Sequence, residues 1–137
     1  MIVCASPSYI ERFGRPFRFD DIAGHQAVIY RRLGQVLQPW LFPCDDGSVR
    51  EIAPAGRLRL DDLDAIADAA TDGMGLAWLP WWLVRRRVED GTLIRLLPDH
   101  PDYLYDCHAL WLQTPHLPLK VRLAVDALAA GLPKMMS

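Results

Sequence analysis

The sequence predicts an α/β fold, a mixed sheet flanked by helices, and three features predict it. Segments with apolar residues at every second position alternate with segments whose apolar residues recur at i, i+3, i+4 and i+7, the two patterns of strand and helix. Glycines at Gly14, Gly73 and Gly91 follow the helical segments, where a helix commonly stops. The run from Gly56 to Pro80 holds the whole pattern without a gap: strand, helix, glycine stop, strand.

The elements follow in order. Ile2 to Ala5 reads as a strand, Ser6 as the N-cap and Pro7 as the first residue of a short helix to Phe13, because a proline there lacks only a donor that would be unpaired anyway. Phe19 to His25 reads as a short helical turn, Ala27 to Tyr30 as a buried strand and Leu33 to Pro39 as a loop. Trp40-Leu41-Phe42 and Val49 to Ile52 flank Asp45-Asp46-Gly47-Ser48, a hairpin signal, with Pro43 confining the first arm to an edge. Leu58 and Leu60 suit a strand, Asp61 or Asp62 a helix cap, and Leu63, Ile66, Ala67 and Ala70 one buried helical face. Gly75 suits a close approach of backbone to a neighbour. Leu76 to Leu79 re-enters the core.

Trp81 to Asp90 reads as a helix with Trp82, Val84 and Val88 inward and Arg85, Arg86 and Arg87 solvated. Three successive helical residues spread over different faces, so the arginines make a solubilising run rather than a phosphate clamp. Leu93 to Leu97 is expected as a strand, Pro98 to Asp106 as a polar connection, Cys107 to Leu112 as a strand, and Pro118 to Ala130 as a helix. Val121, Val125 and Leu128 stripe that helix, and Leu132 continues the stripe past Gly131.

Composition narrows the function classes. The chain has 137 residues, enough for one domain that buries roughly two thirds of its unfolded surface. Fifteen Lys and Arg against 17 Asp and Glu leave a formal charge of −2, which favours no polyanionic partner. Arg12, Arg15, Arg18, Arg31 and Arg32 are interspersed with acids and come with no recognition helix. No apolar run reaches the roughly 18 residues of a membrane span, and Met1 to Cys4 is unlike a signal peptide, so the expected setting is cytoplasmic, away from membranes. Cys4, Cys44 and Cys107 are odd in number and far apart, which fits neither paired disulfides nor zinc spacing. Cys107-His108 does not make a nucleophile and base, since neighbours in a strand point to opposite faces; Cys107 is expected to be buried. His25, His100 and His116 fall in loop contexts without metal-like spacing. No catalytic motif appears, and the expectation is a protein that is not an enzyme and uses no cofactor or metal.

The run from Gly56 to Pro80 resembles the effector-binding domain of LysR-type transcriptional regulators. The likeness continues in family order through Val3 to Ile10, Gly14-Arg15-Pro16, Asp21 to His25, Trp40 to Gly47, Asp90 to Leu93, Leu96-Leu97-Pro98 and His116 to Leu128. It implies a lobe of the two-lobed fold of periplasmic binding proteins (type II), with a small-molecule effector between the lobes. Residues 1–106 would form mainly the second lobe, and 107–132 a strand and helix returning toward the first. The family's winged helix-turn-helix, linker helix and most of its first lobe have no counterpart here, so the resemblance implies a fragment with no direct DNA binding of its own. The final helix would then offer its stripe for dimerisation or swapping, giving a homo-oligomer, unless it folds back on its own lobe.

The resemblance also implies effector-facing residues: Ala5 and Ser6 at the crossover, Tyr30 and Arg31 after the next strand, Asp61 and Asp62 at a helix start, and Met74 with Gly75. A helix N-terminus suits carboxylates. Relatives often carry Asn or Ser where this chain has Asp61, followed by Asp62 and Asp64. Three carboxylates suit the helix dipole but repel an anion, so a neutral or cationic effector is expected. Capping and core packing compete as explanations at each of these residues. The alternatives in function are a free-standing solute-binding lobe and a non-catalytic dimerisation module.

Overall fold

A computed structural model describes residues 1–31, 37–112, 116 and 118–136, without the side chain of Met136. It comprises two compact units, Met1–Leu104 and Tyr105–Ser137, whereas the lobe boundary read from the sequence falls after residue 106.

The first unit begins with strand β1 (Ile2–Ala5) and helix α1 (Pro7–Phe13). Ser6 caps α1 by accepting a hydrogen bond from the Tyr9 amide at 3.2 Å, and Gly14 ends it. A 3-10 turn (Phe19–Gly24) and β2 (Val28–Tyr30) follow. Of the expected loop from Leu33 to Pro39, residues 33–36 lie outside the described residues, and Leu37 to Pro39 is irregular. β3 (Trp40–Pro43) and β4 (Val49–Ile52) form the hairpin, paired Trp40 to Ile52 through Pro43 to Val49. β5 (Leu58–Leu60), α2 (Leu63–Thr71), β6 (Ala77–Leu79), α3 (Trp81–Glu89) and β7 (Ile94–Leu96) complete the unit.

Five strands share one sheet. β6, β1 and β7 form one group and β2 pairs with β5 in parallel. The parallel bridge from Ala27 to Leu76 joins the groups, with Val28 donating to the Leu76 carbonyl and Leu76 to the Gln26 carbonyl, both at 2.8 Å. The spatial order is therefore β5-β2-β6-β1-β7. β1 is antiparallel to both its neighbours, and the other four strands run the same way.

Period-two alternation sends successive residues to opposite faces. Val3, Ala5, Ala27, Ile29 and Leu76 pack on one face with Tyr9, Phe19, Ile22, Trp40 and Phe42 from α1, the 3-10 turn and the hairpin. Ile2, Cys4, Val28, Ala77 and Leu79 pack on the other with Ile66, Ala67, Ala70 and Val84 from α2 and α3. The sheet is thus covered on both faces, and the expected buried stripe of α2 is observed.

Gly75 makes the close approach expected of it: a Cβ there would lie 2.7 Å from the Gln26 carbonyl oxygen. Gly56, which the sequence does not distinguish from a loop glycine, is tighter still, its Cβ position 2.0 Å from the Ala27 carbonyl oxygen. Both glycines let the chain press against the strand edge that starts β2.

Five expectations need correction. Trp82 is 46 % exposed rather than inward; Trp81, Leu83, Val84 and Val88 pack inward instead, because the helical phase that buries Val84 turns residue 82 outward. Arg87 is not simply solvated: it bonds Asp68 at 2.7 Å and the Thr71 hydroxyl at 3.1 Å, tying α3 to α2. Cys107 to Leu112 enters no strand among the described residues, since a strand needs a partner ladder and none is supplied, and Cys107 is exposed rather than buried. The last helix, α4, runs Leu119–Met136 instead of ending at Ala130, continuing through Gly131 and Pro133. The alanine and leucine residues on either side of Gly131 favour helix enough to offset a cost of about 1 kcal/mol for one glycine.

Candidate effector-binding face

The eight residues expected to face an effector fall into two groups at opposite ends of the sheet. Ala5 lies beside Ile94, and Cys4 beside Ala77, which puts the Ala5 end of β1 at the start of β6. There Ser6 is buried, its hydroxyl 3.0 Å from that of Ser8. Gly73, at φ +80°, brings the turn after α2 against the Ser6 and Ser8 hydroxyls. Ala5, Ser6 and Gly75 are buried and Met74 is exposed.

Tyr30, Arg31, Asp61 and Asp62 sit at the other end. Tyr30 pairs with Leu60, and the Arg31 amide donates to the Leu60 carbonyl at 2.8 Å. The two groups are separated by the length of the strands, about 10 Å for three residues. The second group occupies the carboxyl ends of the parallel strands, the edge at which open α/β sheets bind ligands.

Sequence and dipole act together at that edge. Asp62, not Asp61, caps α2, its carboxylate accepting from the Ala65 amide at 2.8 Å. Asp61 precedes the cap, exposed beside Arg31's strand. Tyr30 is 38 % exposed, because β2 ends there and the side chain clears the covering layers. One feature was missed from sequence: α3 starts at the same edge, after β6, with Pro80 as N-cap and no side-chain hydrogen bond to its first amides. Its exposed Trp82 lies in that first turn, where the Leu83 amide donates to the Pro80 carbonyl at 3.1 Å. The signal was present as a strand running directly into Pro80, a cap that lacks any acceptor on its side chain.

Burial pushes the Cys4 thiol up to about 12, with the Arg87 charge pulling weakly the other way. Among the described residues no three His, Cys, Asp or Glu side chains gather as metal ligands. His25 hydrogen-bonds the Tyr9 hydroxyl at 3.2 Å, and the His100 ring lies 4.0 Å from that of Phe19, tilted by 36°. No helix among the described residues is long and apolar enough to cross a membrane.

The sequence profile of the LysR substrate binding domain matches residues 1–133. The chain belongs to that family. Among curated relatives, it is 36 % identical to the HTH-type transcriptional regulator PgrR of Escherichia coli over 114 residues, covering 79 % of this chain and 38 % of the relative. It is 28 % identical to the HTH-type transcriptional activator AaeR of Escherichia coli over 93 % of this chain and 41 % of the relative. The chain therefore spans less than half the length of these relatives. Among solved structures, it is similar to the regulatory domain of the C227S variant of AphB from Vibrio vulnificus, with a TM-score of 0.73 and 27 % identity over 94 % of this chain and 64 % of that one. The LysR-type regulator CrgA of Neisseria meningitidis gives a TM-score of 0.62 and 26 % identity over 74 % of this chain and 34 % of that one. This LysR substrate-binding domain thus has the type II periplasmic-binding-protein-like α/β fold, and PgrR and AaeR are by name transcriptional regulators.

Proposed function

We propose that this LysR substrate-binding domain is the effector-sensing part of a transcriptional regulator, and that its effector rests on the carboxyl ends of β2, β5 and β6. One observation carries the reading: two helix N-termini open at that edge, one capped by Asp62 and one lacking a side-chain cap. Tyr30 and Trp82 supply aromatic surface, Arg31 a cation, and Asp61 a carboxylate outside the cap. Ala5, Ser6 and Gly75 are assigned to packing and capping at the opposite end, where Met74 is exposed. With Asp61, Asp62 and Asp64 around one helix start, the site favours a neutral or cationic effector, whose amine or hydroxyl donors meet carboxylates while its ring lies on the aromatics. DNA contact by the whole regulator belongs to a separate helix-turn-helix, of the kind the relatives' names state.

A thermal-shift screen of amines, aromatics and small acids, followed by titration calorimetry, tests this. Asp61→Asn should change the affinity of a cationic hit by about 1 kcal/mol or more, since a nearby charge pair is lost in a partly desolvated site, while the melting temperature stays put because Asp62 keeps the cap. Asp62→Ala should instead cost about 1 kcal/mol of stability. Equal affinities for Asp61→Asn, Tyr30→Ala and the wild type would move the effector elsewhere.

A further inference from the structure

The sequence contains no asparagine and three Asp-Gly steps, Asp46-Gly47, Asp72-Gly73 and Asp90-Gly91. An aspartate before a glycine is open to attack on its own side chain, because with no Cβ in the way the glycine nitrogen can reach the carboxyl carbon. The three steps share one backbone. Their glycines have φ of +81°, +80° and +80°, and each glycine amide donates to a carbonyl three residues back, that of Cys44, Ala70 or Val88. The difference lies in the carboxylates. Asp46 accepts from the Ser48 amide at 2.9 Å and the Ser48 hydroxyl at 2.6 Å. Asp90 accepts from the Thr92 amide at 3.0 Å and the Thr92 hydroxyl at 2.7 Å. Each side chain is thereby turned past its glycine to the residue beyond it. The same bonds hold both carboxyls below their usual range, the Ser48 hydroxyl foremost for Asp46 and the Thr92 amide for Asp90. A carboxylate that stays ionised is a poor electrophile, since ring closure must expel its oxygen as water.

Asp72 lacks this lock. Two residues beyond it stands Met74, which has no hydroxyl and whose amide turns back to the Ala69 carbonyl at 3.0 Å. Asp72 is exposed, and among the described residues no donor reaches its carboxylate. It is the C-cap of α2, at a helix end, where local opening costs least. Asp90 holds the same position on α3, so the lock alone separates the two.

We propose that Asp72-Gly73 is a modification site at which the chain converts itself to isoaspartate, while Asp46 and Asp90 are spared. The Gly73 nitrogen bonds to Cγ of the protonated Asp72 carboxyl, and the carboxyl hydroxyl leaves with the amide hydrogen as water, closing a succinimide. Water then adds to a ring carbonyl and a ring C–N bond breaks. Breakage at the α-carbonyl leaves Gly73 joined through the side chain, with no electrons transferred and no net change of mass. The main chain is longer by one methylene, in a turn where a Cβ on Gly73 would already lie 3.0 Å from the Ser8 hydroxyl and 3.5 Å from that of Ser6. The lengthened turn must move off the cap of α1, and Leu76, which donates to the Gln26 carbonyl at 2.8 Å, follows directly behind it.

Peptide mapping by mass spectrometry with electron-transfer fragmentation, which tells isoaspartate from aspartate, follows the intact chain in warm, mildly acidic buffer. Isoaspartate should accumulate at Asp72 several-fold faster than at Asp46 or Asp90, and amide exchange at Leu76 should quicken in the modified fraction. Met74 is exposed, and Met74→Ser, which puts a hydroxyl at the locking position, should slow the reaction at Asp72. Ser48→Ala and Thr92→Val should raise Asp46 and Asp90 toward the Asp72 rate. In urea the three rates should converge, since only the folded chain holds the locks. Native rates that are equal, or that are led by Asp46 or Asp90, overturn the proposal, as does a ranking that survives in urea.

Discussion

The two units of the chain carry similar apolar patterns and reach opposite outcomes. In Met1–Leu104, β1 buries all four of its residues and α2 buries Ile66, Ala67 and Ala70. In Tyr105–Ser137, α4 carries an equally regular stripe, yet its Leu128 and Leu132 remain 48 % and 37 % exposed. The difference teaches that periodicity states which face of an element is apolar, while burial depends on another surface being there to receive it. In the first unit the sheet has both faces covered. In the second, the described residues supply one helix and a segment outside any strand, and a helix with one apolar face needs a second layer to bury it.

The sharpest way to break this contrast is a pair of truncations. Leu79→Ala, at a side chain with no exposure in the centre of the sheet, should destabilise the first unit by about 3 kcal/mol. Leu128→Ala on the α4 stripe should change the same melting transition by less than about 0.5 kcal/mol, as exposed substitutions do. Chemical denaturation followed by circular dichroism measures both. Equal losses would mean that α4 is packed as tightly as the sheet.

A smaller effect is expected from Gly75→Ala. The added Cβ meets the Gln26 carbonyl, part of the backbone that bridges β2 to β6, and neither can yield without breaking the bridge. A loss of about 2 kcal/mol follows, in the range of core overpacking. Hydrogen exchange at Val28 and Leu76 should accelerate with it. Unchanged exchange there would show that the two halves of the sheet are not joined at this point.

The smallest effect concerns pH and the 3-10 turn of the first unit. The Asp21 carboxyl lies below its usual range because the Phe17 and Arg18 amides donate to it. Its folded pKa is lowered, so its contribution to stability is present above the ordinary carboxylate value near 3.8 and is lost as pH falls through the lowered one. Asp21→Asn should therefore flatten the acid limb of the stability profile slightly and leave neutral pH melting nearly unchanged. An acid limb identical in the two proteins would remove Asp21 from the account.

Much of the first unit was legible in the residues. Ser6 with Pro7, the Asp46-Gly47 hairpin turn and the α2 stripe each rest on local rules, and local rules do not depend on what packs nearby. Gly75 could be read as a close approach because it stands between a helix stop and a strand. Gly56 could not, since its neighbour is the Ala27 carbonyl, reached only when β2 and β5 lie side by side. For the candidate site, the residue types were visible but their grouping was not. Ser6 and Asp61 both read as cleft-facing helix starts, and the sheet sets them at opposite ends. Arg87 likewise looked solvated until α2 brought Asp68 and Thr71 to it.

The amino-acid sequence by itself determined the α/β class, the order of elements, the caps and the family, because these follow from spacing, turn chemistry and motif order along the chain. Tertiary structure alone decided which helix starts share an edge, that β1 runs against its neighbours, and that Cys107 to Leu112 stays unpaired. Those outcomes depend on strand direction and on the presence of a partner ladder, and hydrogen bonds between distant strands form only when the fold brings both edges together.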